Sequence, residues 1–138
     1  MFKRSLSKKE ASYLYNSHFT NFVLFASIKP THIPNLATSL LDIAKKLQSQ
    51  NELLQCQVVP SATSQSGYEF VMTHPVPDIS VRIVPQGILE NVAEQELNSE
   101  IKVCGEAFMR VSAVVNGNEL SGLICCFPHY CFDGKAGM

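Results

Sequence analysis

Near the C-terminal end of the sequence stands FPHYCFDG, residues 127 to 134, with a histidine, an aspartate four positions on and a glycine directly after it. Histidine is the side chain whose unperturbed pKa lies nearest neutrality, so a partly shielded His129 suits the work of a general base at pH 7. Such a base contributes typically about 10² to 10⁴-fold in rate. Asp133 could orient the imidazole, or turn away and tie its own loop to an arginine. Gly134 allows backbone angles or a close approach that a Cβ would forbid. A motif this short arises by chance often enough that its meaning depends on the elements that carry it.

Other chemistry in the same stretch is weaker. Cys125, Cys126, His129 and Cys131 could be read as metal ligands, but adjacent strand residues point to opposite faces and paired zinc-ligand spacing is missing. No metal is therefore expected. A Cys131–His129 nucleophile pair needs a lowered thiol pKa and a third supporting group that the sequence does not supply. Tyr130 and Phe132 fit a channel lining or packing beneath the loop equally well. His18, His32 and His74 fall at element ends or in loops.

The elements before the motif are legible from their periods. SKKEASYLYNS, 7 to 17, reads as a short serine-capped helix. TNFVLFASIK, 20 to 29, is rich in β-branched and aromatic residues and reads as a strand buried on both faces or nearly so, ending before Pro30. From Thr31 the period becomes helical, with Ile33, Leu36, Leu40, Ile43, Ala44 and Leu47 on one core-facing stripe and Pro34 in the first turn. LLQCQVV, YEFVMT and ISVRIVP read as strands, with SATSQSG a loop. LENVAEQELNSEI, 89 to 101, reads as a helix. AFMRVSAVV and NELSGLICCF form a hairpin across Asn116-Gly117, and its second strand delivers His129 just beyond its end. The architecture expected is α+β: a two-layer sandwich with a mixed, mostly antiparallel sheet of five or six strands and two or three helices, forming a single domain over residues 1–138.

Composition narrows the function further. The 138 residues are 46% hydrophobic and 17% charged, an ordinary balance for a globular domain of a size that buries roughly 68–70% of its unfolded surface. With 11 basic and 12 acidic side chains the formal net charge is −1, so no overall positive field gathers phosphates and a nucleic-acid partner is not expected. FKRSLSKK near the N-terminus reads as a solvated arm. No run of about 18 apolar residues exists, so no membrane span is expected, and the N-terminus lacks the apolar core of a secretory signal. Five cysteines without CxxC spacing read as free thiols in a reducing compartment, placing the protein in the cytoplasm.

His129-Tyr130-Cys131-Phe132-Asp133-Gly134 resembles the HHxxxDG motif of the coenzyme A-dependent acyltransferase superfamily, which includes chloramphenicol acetyltransferase, plant HxxxD acyltransferases and condensation domains of nonribosomal peptide synthetases. The resemblance extends to NFVLFASIKPTHIPNLATSLLDIAKKLQSQNELLQCQVV, similar to the family's first strand and long helix. It includes EAFMRVSAVVNGNELSGLICCFPHYCFDG, similar to its hairpin and catalytic loop. It implies half of a chloramphenicol acetyltransferase-like fold, with His129 as general base, Asp133 holding the loop through an arginine, and Gly134 as the motif glycine. The donor it implies is acyl-coenzyme A or an acyl-carrier thioester, used as substrate with no bound cofactor; the partner is a small-molecule acyl acceptor with a hydroxyl or amine.

Three departures qualify that expectation. Pro128 stands where many members have a first histidine, which weakens assignment to the peptide-synthetase branch. Gln55 stands where an arginine is expected, leaving Arg110 and Arg82 as candidate partners of Asp133. No DFGWG motif is present, so the chain corresponds to the N-terminal subdomain of a two-domain acyltransferase. Its site would be completed by the C-terminal half or, as in chloramphenicol acetyltransferase, by a homo-oligomer partner. On its own the 138-residue chain is expected to be inactive, because half a tunnel neither excludes water nor orients two substrates. The rival expectation is a non-catalytic half-fold that self-associates or pairs with another chain.

Overall fold

A computed structural model describes residues 3–5, 21–99 and 107–128 of the chain. Four strands make the larger sheet: β2 (Asn21–His32), β5 (Ser80–Pro85), β6 (Arg110–Asn116) and β7 (Glu119–Pro128), in the order β2-β7-β6-β5. β2 with β7 and β6 with β7 are antiparallel, while β5 and β6 are parallel. A parallel pair needs a crossover, which here contains helix α2 (Leu89–Leu97). A second sheet joins β1 (Lys3–Ser5), β4 (Tyr68–Met72) and β3 (Cys56–Pro60) in the order β1-β4-β3, all antiparallel. Helix α1 (Leu36–Gln50) and a short 3₁₀ turn (Glu52–Gln55) connect β2 to β3. The α+β architecture with a mixed, mostly antiparallel sheet agrees with the sequence; the helix expected over 7–17 lies outside the described residues.

Side-chain alternation assigns the two faces of the larger sheet. On β6, Val111 and Ala113 pack toward α1 and the small sheet, in clusters that contain Leu40, Ala44, Val58, Phe70 and Phe108. Phe70 and Phe108 meet edge to face with ring centroids 6.1 Å apart, a geometry worth about 0.5–1.5 kcal/mol beyond burial. The intervening residues Arg110, Ser112 and Val114 face α2, where Val114 and Ile124 pack on Val92 and Ala93. Gly122 brings β7 against that helix: a Cβ there would stand 2.7 Å from Leu89 Cδ1.

Four expectations need correction. β2 is an edge strand paired, among the described residues, only with β7, and Leu24 and Phe25 are 41% and 51% exposed, so it is not buried on both faces. It also continues through Pro30 to His32, with its register shifting between Ser27 and Thr31; an edge strand tolerates proline at such an irregularity because no partner needs the missing N–H. α1 begins at Leu36, after Asn35 in the left-handed region (φ 53°), so Pro34 precedes the helix. Its buried stripe is Leu40, Ala44 and Gln48, while Ile43 and Leu47 face outward at 57% and 39% exposure. Gln48 is buried because its amide donates to the carbonyls of Leu54 (3.0 Å) and Pro77 (2.6 Å), tying the helix to the chain that follows it.

Among the described residues no helix is long and apolar enough to cross a membrane.

Candidate functional site

β7 is described as far as Pro128, so residue 129 follows directly in sequence from the central hairpin of the larger sheet. The hairpin has two turn residues, Gly117 and Asn118, since Asn116 still pairs with Glu119. Gly117 supplies the positive φ of 63° that such a turn requires. His129, Asp133, Gly134, Tyr130, Cys131 and Phe132 lie outside the described residues. The structure describes the platform from which they leave.

That platform is the sheet end formed by Pro128, its cross-strand neighbour Asn21, and Arg110, which pairs with Cys126. On the α2 face it is organised around a buried carboxylate, Glu96, whose side chain is only 8% exposed. Arg82 Nη2 donates to Glu96 Oε1 at 2.8 Å, and Ser112 Oγ donates to the same oxygen at 3.2 Å. Arg110 Nε stands 3.0 Å from Oε2. The two candidate partners of Asp133 are therefore brought together, and both are engaged by Glu96. A charge this deep is tolerated only when paired, and two guanidinium groups and a hydroxyl provide the pairing.

The backbone at the end of α2 is a second focus. The Glu96 carbonyl accepts from Asn21 Nδ2 (3.3 Å), Cys126 Sγ (3.4 Å) and Arg110 Nη2 (3.5 Å). The Ser99 carbonyl accepts from Arg110 Nη2 at 2.8 Å and from Asn21 Nδ2. An open cleft of about 230 Å³ lies over Arg82, Glu96, Arg110 and Ser112, rimmed by Ser80 and Ser99. Arg82, with half its side chain exposed, faces solvent, whereas Arg110 is 17% exposed.

The described cysteines, Cys56, Cys125 and Cys126, are free thiols. Burial pushes the Cys126 thiol up to about 11, against the opposing pull of Arg110, and burial raises Cys125 as well. A neutral thiol is a poor nucleophile and a poor metal ligand, and the described residues hold no group of three or more side chains suited to a metal ion. His32 and His74 are exposed, His32 at the far end of β2 with Nδ1 3.1 Å from the Asn118 carbonyl oxygen.

The sequence carries a signal for Glu96 that its motifs do not. In LENVAEQEL the buried positions Val92, Ala93 and Glu96 share one helical stripe, so a carboxylate falls where an apolar residue is expected. An acid on a core stripe demands cations opposite, and Arg82 and Arg110 on two neighbouring strands supply them.

No protein-family model matches the chain, and no curated protein matches its sequence. Solved structures do match its fold. The starter condensation domain of rhizomide synthetase RzmA superposes with a TM-score of 0.71 at 13% identity, over 98% of this chain and 34% of that chain. A four-domain nonribosomal peptide synthetase bound to AMP and glycine gives 0.71 at 12% identity, over 96% and 10% of the two chains. The condensation domain from Monacolin K polyketide synthase MokA gives 0.66 at 11%, over 93% and 30%. Condensation domains belong to the coenzyme A-dependent acyltransferase superfamily, so the fold is the one the sequence resemblance implies. The chain spans about a third of the length of the condensation domains it matches.

Proposed function

We propose that this chain is the histidine-bearing part of an acyltransferase that moves an acyl group from a coenzyme A or carrier-protein thioester to a hydroxyl or amine. The observation that supports the reading is the fold, shared over 98% of the chain with a starter condensation domain, together with the position of the His129 motif in the sequence directly after the described part of β7. An imidazole nitrogen of His129 takes the proton of the acceptor as its oxygen or nitrogen attacks the thioester carbonyl carbon. The tetrahedral species then collapses with cleavage of the carbon–sulfur bond, and the imidazolium returns its proton to the departing sulfur. The oxyanion stabiliser comes from outside the described residues. Asp133 acts as loop anchor through an arginine, with Arg110 and Arg82 as the candidates.

The test is thiol release from acyl-coenzyme A, with hydroxyl and amine acceptors, by the native protein and its His129→Ala variant. A loss of about 10²-fold or more is expected from removal of a general base, and equal rates overturn the assignment.

A second reading rests on its own observation. Large apolar side chains stand exposed at Leu24, Phe25, Ile43 and Ile88, which favours a half-fold that associates with another chain.

A further inference from the structure

Among the described residues the two sheets end on four outer strands, and three of these are guarded. β5 carries Arg82 and ends in Pro85; β1 is three residues long and carries Lys3 and Arg4; β3 is five residues long and ends in Pro60. Charge, proline and brevity are the means by which a sheet edge is kept from pairing with another chain. β2 has such guards only in its second half, where Lys29, Pro30 and the register irregularity between Ser27 and Thr31 fall together. Its first half, Asn21–Ser27, keeps unbroken register with β7 and contains no charge, proline or glycine.

We infer that Asn21–Ser27 is a docking edge for a second copy of this chain, paired antiparallel about a two-fold axis at Leu24. The inference rests on the reading of the chain as a half-fold that associates, and it names the partner. A two-fold axis normal to the sheet makes a strand its own antiparallel neighbour, so one stretch serves both sides of the contact. The midpoint of the regular stretch is Leu24. With the axis there, Leu24 faces its own copy and Val23 faces Phe25 of the second chain. Phe25 lies on the α2 face beside Ile124 and is 51% exposed, while Leu24 lies on the other face beside Cys125 and is 41% exposed; pairing covers both. Charge is matched as well. A strand laid against this edge must bring no charge that would lose its water, and an identical stretch meets that condition along its whole length.

A contact of seven residues a side falls short of the roughly 20–30 residues a side of a standard interface, so the dimer is weak and forms as concentration rises. Each chain has one such edge, so assembly stops at two copies.

The register is tested by cross-linking, with diamide as oxidant. Leu24→Cys is made together with Cys125→Ser, because Cys125 pairs with Leu24 within the chain and would capture the new thiol. This variant is expected to give a covalent dimer on a non-reducing gel, since directly opposed Cα atoms about 4.5–5.5 Å apart suit a disulfide. Ser27→Cys in the same background is the control: position 27 opposes position 21 of the copy, its two copies stand about 20 Å apart, and they should not link. Cys125→Ser alone gives the baseline. In the native protein the mass by light scattering should double and stop there, with amide hydrogen exchange over residues 21–27, but not 29–32, slowing as concentration rises. Exchange needs no substitution and decides the matter should a variant fail to fold.

Equal linking at positions 24 and 27, a mass that passes beyond two copies, or exchange over 21–27 that ignores concentration overturns the inference. A mass that doubles while Leu24→Cys does not link overturns the β2 contact and leaves the half-fold reading standing. A mass that stays monomeric removes both.

Discussion

Cys126 lies on the α2 face of β7, fully buried, with its Sγ 3.4 Å from the Glu96 carbonyl oxygen and 3.7 Å from Arg110 Nη2. Burial raises its pKa from 9.0 to about 11, so the folded state holds the thiol neutral where the unfolded chain would ionise it. The sign follows from proton linkage. With the folded pKa above the unfolded one, the thiol's contribution is complete below pH 9 and is lost as pH rises from 9 to 11. Urea unfolding midpoints measured from pH 8 to 11 are therefore expected to fall more steeply for the wild type than for Cys126→Ala. The difference has a ceiling on the order of 3 kcal/mol, and parallel curves would show that Cys126 does not contribute. The sequence placed Cys125 and Cys126 on opposite faces and read both as unlikely metal ligands, which alternation alone supports. It did not reach Glu96, because the stripe that buries Glu96 acquires its meaning only when α2 is laid across β5 and β6.

The elements divide according to how local their causes are. The β6–β7 hairpin was legible because its turn chemistry sits in four adjacent residues, although the turn proper is Gly117-Asn118, one position later than the Asn116-Gly117 reading. Gly117 has φ 63° and nothing within 4 Å of where a Cβ would be, so the cost of Gly117→Ala is all backbone. That cost is about 1–2 kcal/mol of left-handed strain, partly offset by the stiffer unfolded chain. A melting temperature lowered by a few degrees is the expected outcome, with an unchanged value refuting the turn assignment. β2 and α1 were misjudged because burial is not a local property. An apolar run says that a strand forms, but whether the strand is central or at the edge depends on which partners reach it. Likewise Ile43 and Leu47 keep helical spacing with Leu40 and Ala44, yet α1 turns only the Leu40, Ala44 and Gln48 stripe inward.

At the scale of the molecule, the edge position of β2 leaves apolar surface in the open. Leu24 and Phe25 stand 41% and 51% exposed on a strand whose outer edge, among the described residues, has no neighbour. An exposed edge strand with apolar side chains is a template for pairing with another chain. The chain matches only about a third of the condensation-domain chains that share its fold. The half-fold reading therefore predicts association: the weight-average mass by light scattering should rise with concentration, and Phe25→Lys, which places a charge on the edge without touching the buried clusters, should suppress the rise. A mass that stays monomeric at every concentration, or one that rises equally in Phe25→Lys, removes β2 as the contact.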